Sequence, residues 1–326
     1  MRTVFIARAA LLCVLIGPVV HGQSLPTKKE ATELIEKTIP RMRLGAPGRS
    51  PFHLVADVRL EIGANSFEGT YELLWASPDR YREEFRVGTV GETDVAQGDK
   101  IYILRTTPTL SYTLERVRFY LDMPVPTHLA STRHVRKIYL ETVSGHSQFC
   151  VRTDSNGYDE EFCFDMATRE IVSLRSGNSA IYRWERTEFV AVDGSRYPGR
   201  VLHHSSGETL EMHVTRLESV REFSESVFTP PPMASMRDWC ADPKKSGKWM
   251  PPDAPILSFA NNDTILLYYV LVGPDGQVEK SAAVVSVTGP IDAIIERWIH
   301  DAKFAIWRCG DKAIEYEQII APYRTP

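Results

Sequence analysis

The chain has 326 residues, with 38 Lys and Arg against 42 Asp and Glu and a formal net charge of −4. Mild acidity excludes a general nucleic-acid or anionic-membrane binder, which needs clustered basic residues. The length fits one large or two ordinary domains, and no internal repeat or low-complexity tract interrupts it.

Arg2 and Arg8 make a basic start, and Ala9 to Val20 then runs without a charge. That run of ~12 residues suits a secretory signal and falls short of the ~20 needed to span a bilayer. Gly17 and Pro18 break it, and Val20-His21-Gly22 offers a small-residue cleavage site, so residues 1–22 read as a signal peptide. An uncleaved anchor is the alternative; a lipobox at Cys13 is opposed by the bulk of Leu12. No later stretch is long and apolar enough to cross a membrane, so the mature chain is expected in the periplasm or outside the cell, without a transmembrane segment. Cys13 leaves with the signal. Cys150, Cys163, Cys240 and Cys309 remain, and an even number in an exported chain favours two disulfides.

A helix opens the mature chain. Thr27-Lys28-Lys29-Glu30 has the form of a capping box, Ala31, Leu34, Ile35 and Ile39 make an apolar stripe, and Pro40 bends or ends the helix. From Phe52 the period changes to two: Phe52, Leu54, Ala56, Val58, Leu60 and Ile62 alternate with polar residues. Further strands are predicted over 70–75, 81–87, 100–104, 135–143, 181–190, 196–204 and 209–217, with a short helix over 114–121. The fold class is α+β: an antiparallel half-barrel with an opening helix, one face of its sheet available to a ligand.

One hairpin can be registered residue by residue. Asn156-Gly157 signals a type I′ turn, because both positions need positive φ. That turn sets Ser155 opposite Tyr158, Arg152 opposite Glu161, Val151 opposite Phe162 and Cys150 opposite Cys163. Directly opposed Cα atoms, ~4.5–5.5 Å apart, fall inside the disulfide window. By elimination Cys240 pairs with Cys309. A metal held by two cysteines without a nearby histidine would be a poor site.

The run from Phe228 to Pro255 carries Pro230-Pro231-Pro232, Lys244-Lys245-Ser246-Gly247-Lys248, Pro251-Pro252 and Pro255. Proline fixes φ and removes backbone donors, so residues 230–255 read as a linker resisting helix and sheet, with Trp239 and Trp249 hinting that parts dock. Beyond it, residues 256–326 give a β-β-α-β order: a strand over 264–271, the turn Pro274-Asp275-Gly276-Gln277, a strand over 278–287, a helix opened by Pro290, and a strand over 313–320. The helix should bury Ile291, Ile294, Ile295, Trp298 and Ala302.

The stretch FHLVADVRLEIGANSFEGTYELLWASPDRYREEF, with Gly69, Leu73, Trp75, Pro78 and Arg80, resembles the LolA-like periplasmic lipoprotein-carrier superfamily. So does the corner Val192-Asp193-Gly194 with Tyr197-Pro198, and the resemblance covers residues 27–229. It implies an incomplete barrel whose concave apolar face accepts acyl chains, lined by Leu54, Val58, Leu73 and Trp75. A closed, dry core would produce the same alternation. Residues 256–326 resemble the C-terminal domain of TonB through the Asp-Gly turn, Ile291-Asp292 and Phe304. They depart from it at Ile306, in lacking a tyrosine-proline motif before the first strand, and in lacking a permanent anchor and a Pro-Glu/Pro-Lys spacer. That resemblance implies an exposed strand edge able to add a strand from an envelope protein.

The sequence carries no catalytic motif. His203-His204 sits in a strand, so the two rings point to opposite faces. His53, His128, His134, His146, His213 and His300 lack metal spacing, no G-x-S-x-G elbow is present, and no phosphate or dinucleotide loop appears. No metal and no cofactor are implied. Three functions compete: a carrier of a lipid-like ligand with a TonB-like interaction module; a protein-binding scaffold or transport accessory without a cavity; and a hydrolase whose site assembles only in three dimensions.

Overall fold

The alternation that begins at Phe52 produces an eleven-residue strand, Phe52–Ile62, at the middle of a 13-stranded antiparallel sheet. The structure, a computed structural model, describes residues 24–41, 44–45, 49–62, 64–122, 134–143, 145–155, 158–176, 182–205, 208–246, 267–285 and 290–320. The expected signal peptide, the Asn156-Gly157 turn, Trp249 and most of the later prolines lie outside these residues.

In chain order, α1 (Lys28–Arg41) is followed by β1 (Phe52–Ile62), β2 (Asn65–Ser77), β3 (Arg80–Val87), β4 (Val90–Gln97) and β5 (Lys100–Arg105). Then come α2 (Tyr112–Asp122), β6 (His134–Val143), β7 (His146–Ser155), β8 (Tyr158–Asp165), β9 (Ile171–Ser176) and β10 (Tyr182–Thr187). A small hairpin, β11 (Val190–Val192) and β12 (Ser195–Tyr197), precedes β13 (Arg200–Ser205) and β14 (Glu208–Ser219). The strand order is β15-β5-β4-β3-β2-β1-β14-β13-β10-β9-β8-β7-β6, where β15 is Ser235–Asp238. Among the described strands the sheet is open, ended by β15 and β6. Apolar residues from β1–β3, β7–β9, β13 and β14 join those of α1 and α2 in one core, so both helices share the core face of the sheet.

The capping box forms as read: Glu30 Oε2 accepts from the Thr27 amide at 2.7 Å, and Thr27 Oγ1 from the Glu30 amide at 3.3 Å. The hairpin register also holds, with Ser155 opposite Tyr158, Arg152 opposite Glu161 and Cys150 bonded to Cys163. The single strand expected over 181–190 breaks at Glu188, where φ is +55°, and that over 196–204 breaks at Pro198-Gly199. A Cβ on Gly199 would lie 2.3 Å from the Glu188 carbonyl oxygen, so this crossing needs glycine. β4 and β9 were not among the predicted strands.

The proline-rich run does not resist sheet throughout. Its β15 pairs with β5, and its β16 (Lys244–Ser246) pairs with β19 (Ile306–Cys309). Trp239 docks, donating Nε1–H to the Pro78 carbonyl at 3.1 Å and meeting Tyr81 edge to face. The C-terminal unit comprises β17 (Leu267–Val272), β18 (Val278–Val285), α3 (Pro290–Asp301), β19, β20 (Lys312–Ile314) and β21 (Tyr316–Ile320). Its main sheet runs β18-β17-β21, and the expected last strand is split, its first part turned back on β19. Ile295, Trp298, Ile299 and Ala302 are buried with Phe304, whereas Ile294, expected inside, is exposed. Cys240 is bonded to Cys309.

Candidate functional site

Helix α2 lies on the core face of the sheet, and its seat is partly charged. Leu114, Val117 and Leu121 fall at i, i+3 and i+7, one buried stripe, so Arg116 and Arg118 leave on opposite flanks. Ser111 caps the start, its hydroxyl accepting from the Leu114 amide at 3.3 Å. At the far end Tyr197, buried in the predicted corner, donates its hydroxyl proton to the Leu121 carbonyl.

Arg118 spans β3 and β4. Its Nε donates to Glu83 Oε2 at 2.7 Å and Nη2 donates to Asp94, with Glu92 at 3.6 Å and Glu115 at 3.1 Å. Glu83 and Asp94 are directly opposed across the strands, and both are buried, as is Glu92. Burial pushes the Asp94 carboxyl up to about 8 despite the opposing charge of Arg118, and its Oδ1 has no hydrogen-bond partner among the described residues. The carboxylates hold Arg118 well above its ordinary value although desolvation acts the other way.

The other flank reaches β13 and β14. Arg116 Nη2 lies 2.6 Å from His203 Nδ1, and Nη1 pairs with Glu208 at 3.3 Å. His203 is fully buried; desolvation, then the charge of Arg116, push its pKa to about 3, so the ring stays neutral and accepts from the guanidinium. His204 is exposed on the opposite face, as strand geometry requires.

Glu92 links this seat to the C-terminal unit. Arg105 donates to it through Nε at 2.7 Å and Nη2 at 3.0 Å, and also binds Glu317 of β21. Glu317 further receives Arg237 at 2.8 Å and the Tyr269 hydroxyl at 2.5 Å. Ion pairs therefore run from α2 through β4 and β5 into β21.

Leu54, Val58, Leu73 and Trp75 are all buried in the core shared with α1 and α2. Leu54 opposes Leu73, and Phe52 stacks on Trp75 with centroids 5.2 Å apart. A cleft between Leu44, Phe52, Val192 and Tyr197 has about 20 Å³ open to water. That holds about one water, against the roughly 300–1,000 Å³ of an ordinary ligand pocket.

A His–carboxylate pair does form: His53 Nε2 meets Glu72 Oε1 at 2.6 Å, on the face away from the core, beside Arg216 and Glu218. Among the described residues the one grouping with metal-ligand spacing is Glu141, Cys150 and Cys163, and its sulfurs are bonded to each other. The charged seat of α2 was missed from sequence; the available signal was inward-facing Glu92 and Asp94 on a strand, with arginines two apart on the following helix.

No protein-family model matches this chain, and no curated protein does. Solved structures do match. A LolA superfamily protein from Nitrosomonas europaea is 11% identical, with 63% of this chain and 98% of that one covered and a TM-score of 0.39. A DUF1329 family protein from Desulfovibrio piger is 9% identical, covering 62% and 97%, TM-score 0.42. MucB is 12% identical, covering 86% and 99%, TM-score 0.36. At these identities and scores none assigns a residue or an activity to this chain. The resemblance of residues 256–326 to TonB receives no support from them.

Proposed function

We propose that this is a binding protein of the periplasm that takes a hydrophobic, acyl-bearing ligand on the concave face of its sheet, beneath α2. In this reading residues 27–229 form the binding unit, 230–255 the connecting run and 256–326 a second, protein-interacting unit. The observation that carries it is the seat of α2. This helix buries an apolar stripe, but it is also flanked by arginines set among buried carboxylates, one of them with an oxygen that has no hydrogen-bond partner among the described residues. Buried ion pairs repay their desolvation poorly, so such a seat is easier to leave than a sealed core. Leaving it would uncover Leu54, Leu73 and their neighbours. Burying ~300 Å² of acyl surface at ~25 cal/mol per Å² returns roughly 7 kcal/mol before association costs, enough for micromolar binding. Two disulfides support an oxidising compartment, and no described helix is long and apolar enough to cross a membrane.

The test is uptake of a fluorescent fatty acid by the full mature chain, with native mass spectrometry of the freshly purified protein. Saturable uptake, or a co-purified lipid mass, supports the carrier. Neither in a well-folded sample removes it and leaves the scaffold reading. That second reading draws on β18, an outer strand of the C-terminal sheet, to which a partner could add its own strand.

A further inference from the structure

The large sheet ends at β6, with no described strand beyond it. An open edge presents unpaired N–H and C=O groups, and proteins usually blunt such edges with proline, bulges or repeated charges. β6 has one bulge, at Arg136, and then pairs regularly with β7 from Lys137 to Val143. Toward the core side, Ile138 and Leu140 oppose Val151 and Phe149; Leu140 is nonetheless 60% exposed. On the other side Lys137, Tyr139 and Glu141 line up along the disulfide face, with the Lys137 ammonium 5.0 Å from the centre of its own chain's Tyr139 ring.

This run is complementary to itself. Set antiparallel to a copy, with the two-fold axis at Tyr139, Lys137 of each copy faces Glu141 of the other. On the opposite face Ile138 of each copy faces Leu140 of the other, and the two Tyr139 rings meet at the axis. All of these are pairs that stabilise antiparallel strands. Shifting the axis by one residue either way loses both charge pairs, placing Tyr139 against Glu141 or Lys137 against Tyr139. The pattern is therefore specific to one register, and its polarity suits a second copy of the same strand. We propose that two copies of this protein join edge to edge through β6, antiparallel about Tyr139, making one continuous sheet. The contact is isologous and closes on itself, so it gives a dimer and not a fibre.

Sedimentation equilibrium of the full mature chain tests this. The wild type should dimerise. Lys137→Glu places four carboxylates across the joint and should raise the dimer dissociation constant roughly tenfold to a hundredfold. Lys137→Glu combined with Glu141→Lys restores the complementarity in reverse and should recover the dimer. Leu140→Lys should dissociate it independently. Lys137 and Leu140 are exposed, so near-UV circular dichroism should match the wild type in both single variants. Two results would overturn the proposal: a wild type that stays monomeric, as expected if β6 serves another protein's strand, or a dimer indifferent to both Lys137→Glu and Leu140→Lys.

Discussion

Arg105 and Glu317, 212 positions apart in sequence, meet as a two-pronged pair, Nη1 to Oε1 at 2.8 Å and Nη2 to Oε2 at 2.7 Å. The same guanidinium holds Glu92 on the neighbouring strand, so one arginine joins the large sheet to the C-terminal unit. Both side chains are nearly buried, which makes the fork geometry of arginine matter more than its charge.

Removing that arginine should cost more than removing its carboxylate partner. Arg105→Leu takes the nearer cation from Glu92, leaving it Arg118 at 3.6 Å, and one of two cations from Glu317, and breaking a buried pair costs about 3 kcal/mol or more. Glu317→Gln should cost less, because Arg105 keeps Glu92 and Arg237 keeps Glu315. Urea unfolding of both variants checks the order. Burial opposes ionisation of Glu317, but its hydrogen bonds to Arg105 and Tyr269 win and hold its pKa at about 2. Its contribution is therefore present above the ordinary glutamate range and lost as pH falls toward 2. Glu317→Gln should flatten that acid limb.

Asp94 has the opposite sign. Its folded pKa, raised to about 8 chiefly by burial, exceeds its unfolded value of 3.8. Between those values the folded state binds more protons than the unfolded one, so this group makes stability fall as pH rises. Asp94→Asn should be more stabilising, or less destabilising, at pH 8 than at pH 5, read from thermal midpoints at the two pH values. Equal effects at both would remove Asp94 as the source of the slope.

The contrast between two hairpins explains what the sequence made legible. For β7–β8 the Asn-Gly signal in the sequence predicts the register, and the strand pairing follows it, down to the cysteine pair. In β3–β4 the buried residues include Glu83, Glu92 and Asp94 beside Phe85 and Val87, and in β4 the acids break the apolar alternation by which a half-buried strand is recognised. Their cations, Arg105 and Arg118, come from later elements, so β4 and the seat of α2 become intelligible only once the chain is folded. β15 escaped notice for a related reason: its four residues follow three prolines and find their strand partner only in β5.

The Cys240–Cys309 bond spans 69 residues and ties the connecting run to β19. Chain entropy alone would make it worth about 4 kcal/mol, against about 3 kcal/mol for the 13-residue separation of Cys150 and Cys163. Limited trypsin digestion offers a direct reading, since Lys244 and Lys245 are exposed between the bonded cysteines. The two fragments should migrate as one species until reductant is added. Separation without reductant would show the bond to be missing in the folded protein.

Tyr197 gives the sharpest hold on the function proposed for α2, because its hydroxyl secures the helix end without contributing charge to the seat. Tyr197→Phe keeps the ring in the core and removes one hydrogen bond to the Leu121 carbonyl, so stability should drop by about 1 kcal/mol. If α2 covers a ligand face, the same change should speed uptake of a fluorescent fatty acid, because part of what holds the cover is gone. Tyr197→Leu, which also loses packing, should destabilise further and serves to separate the two effects. Stopped-flow uptake set beside urea unfolding decides the matter. Faster uptake in Tyr197→Phe at a small stability cost means that α2 moves to admit the ligand, whereas unchanged uptake at the same cost means that the helix is simply core.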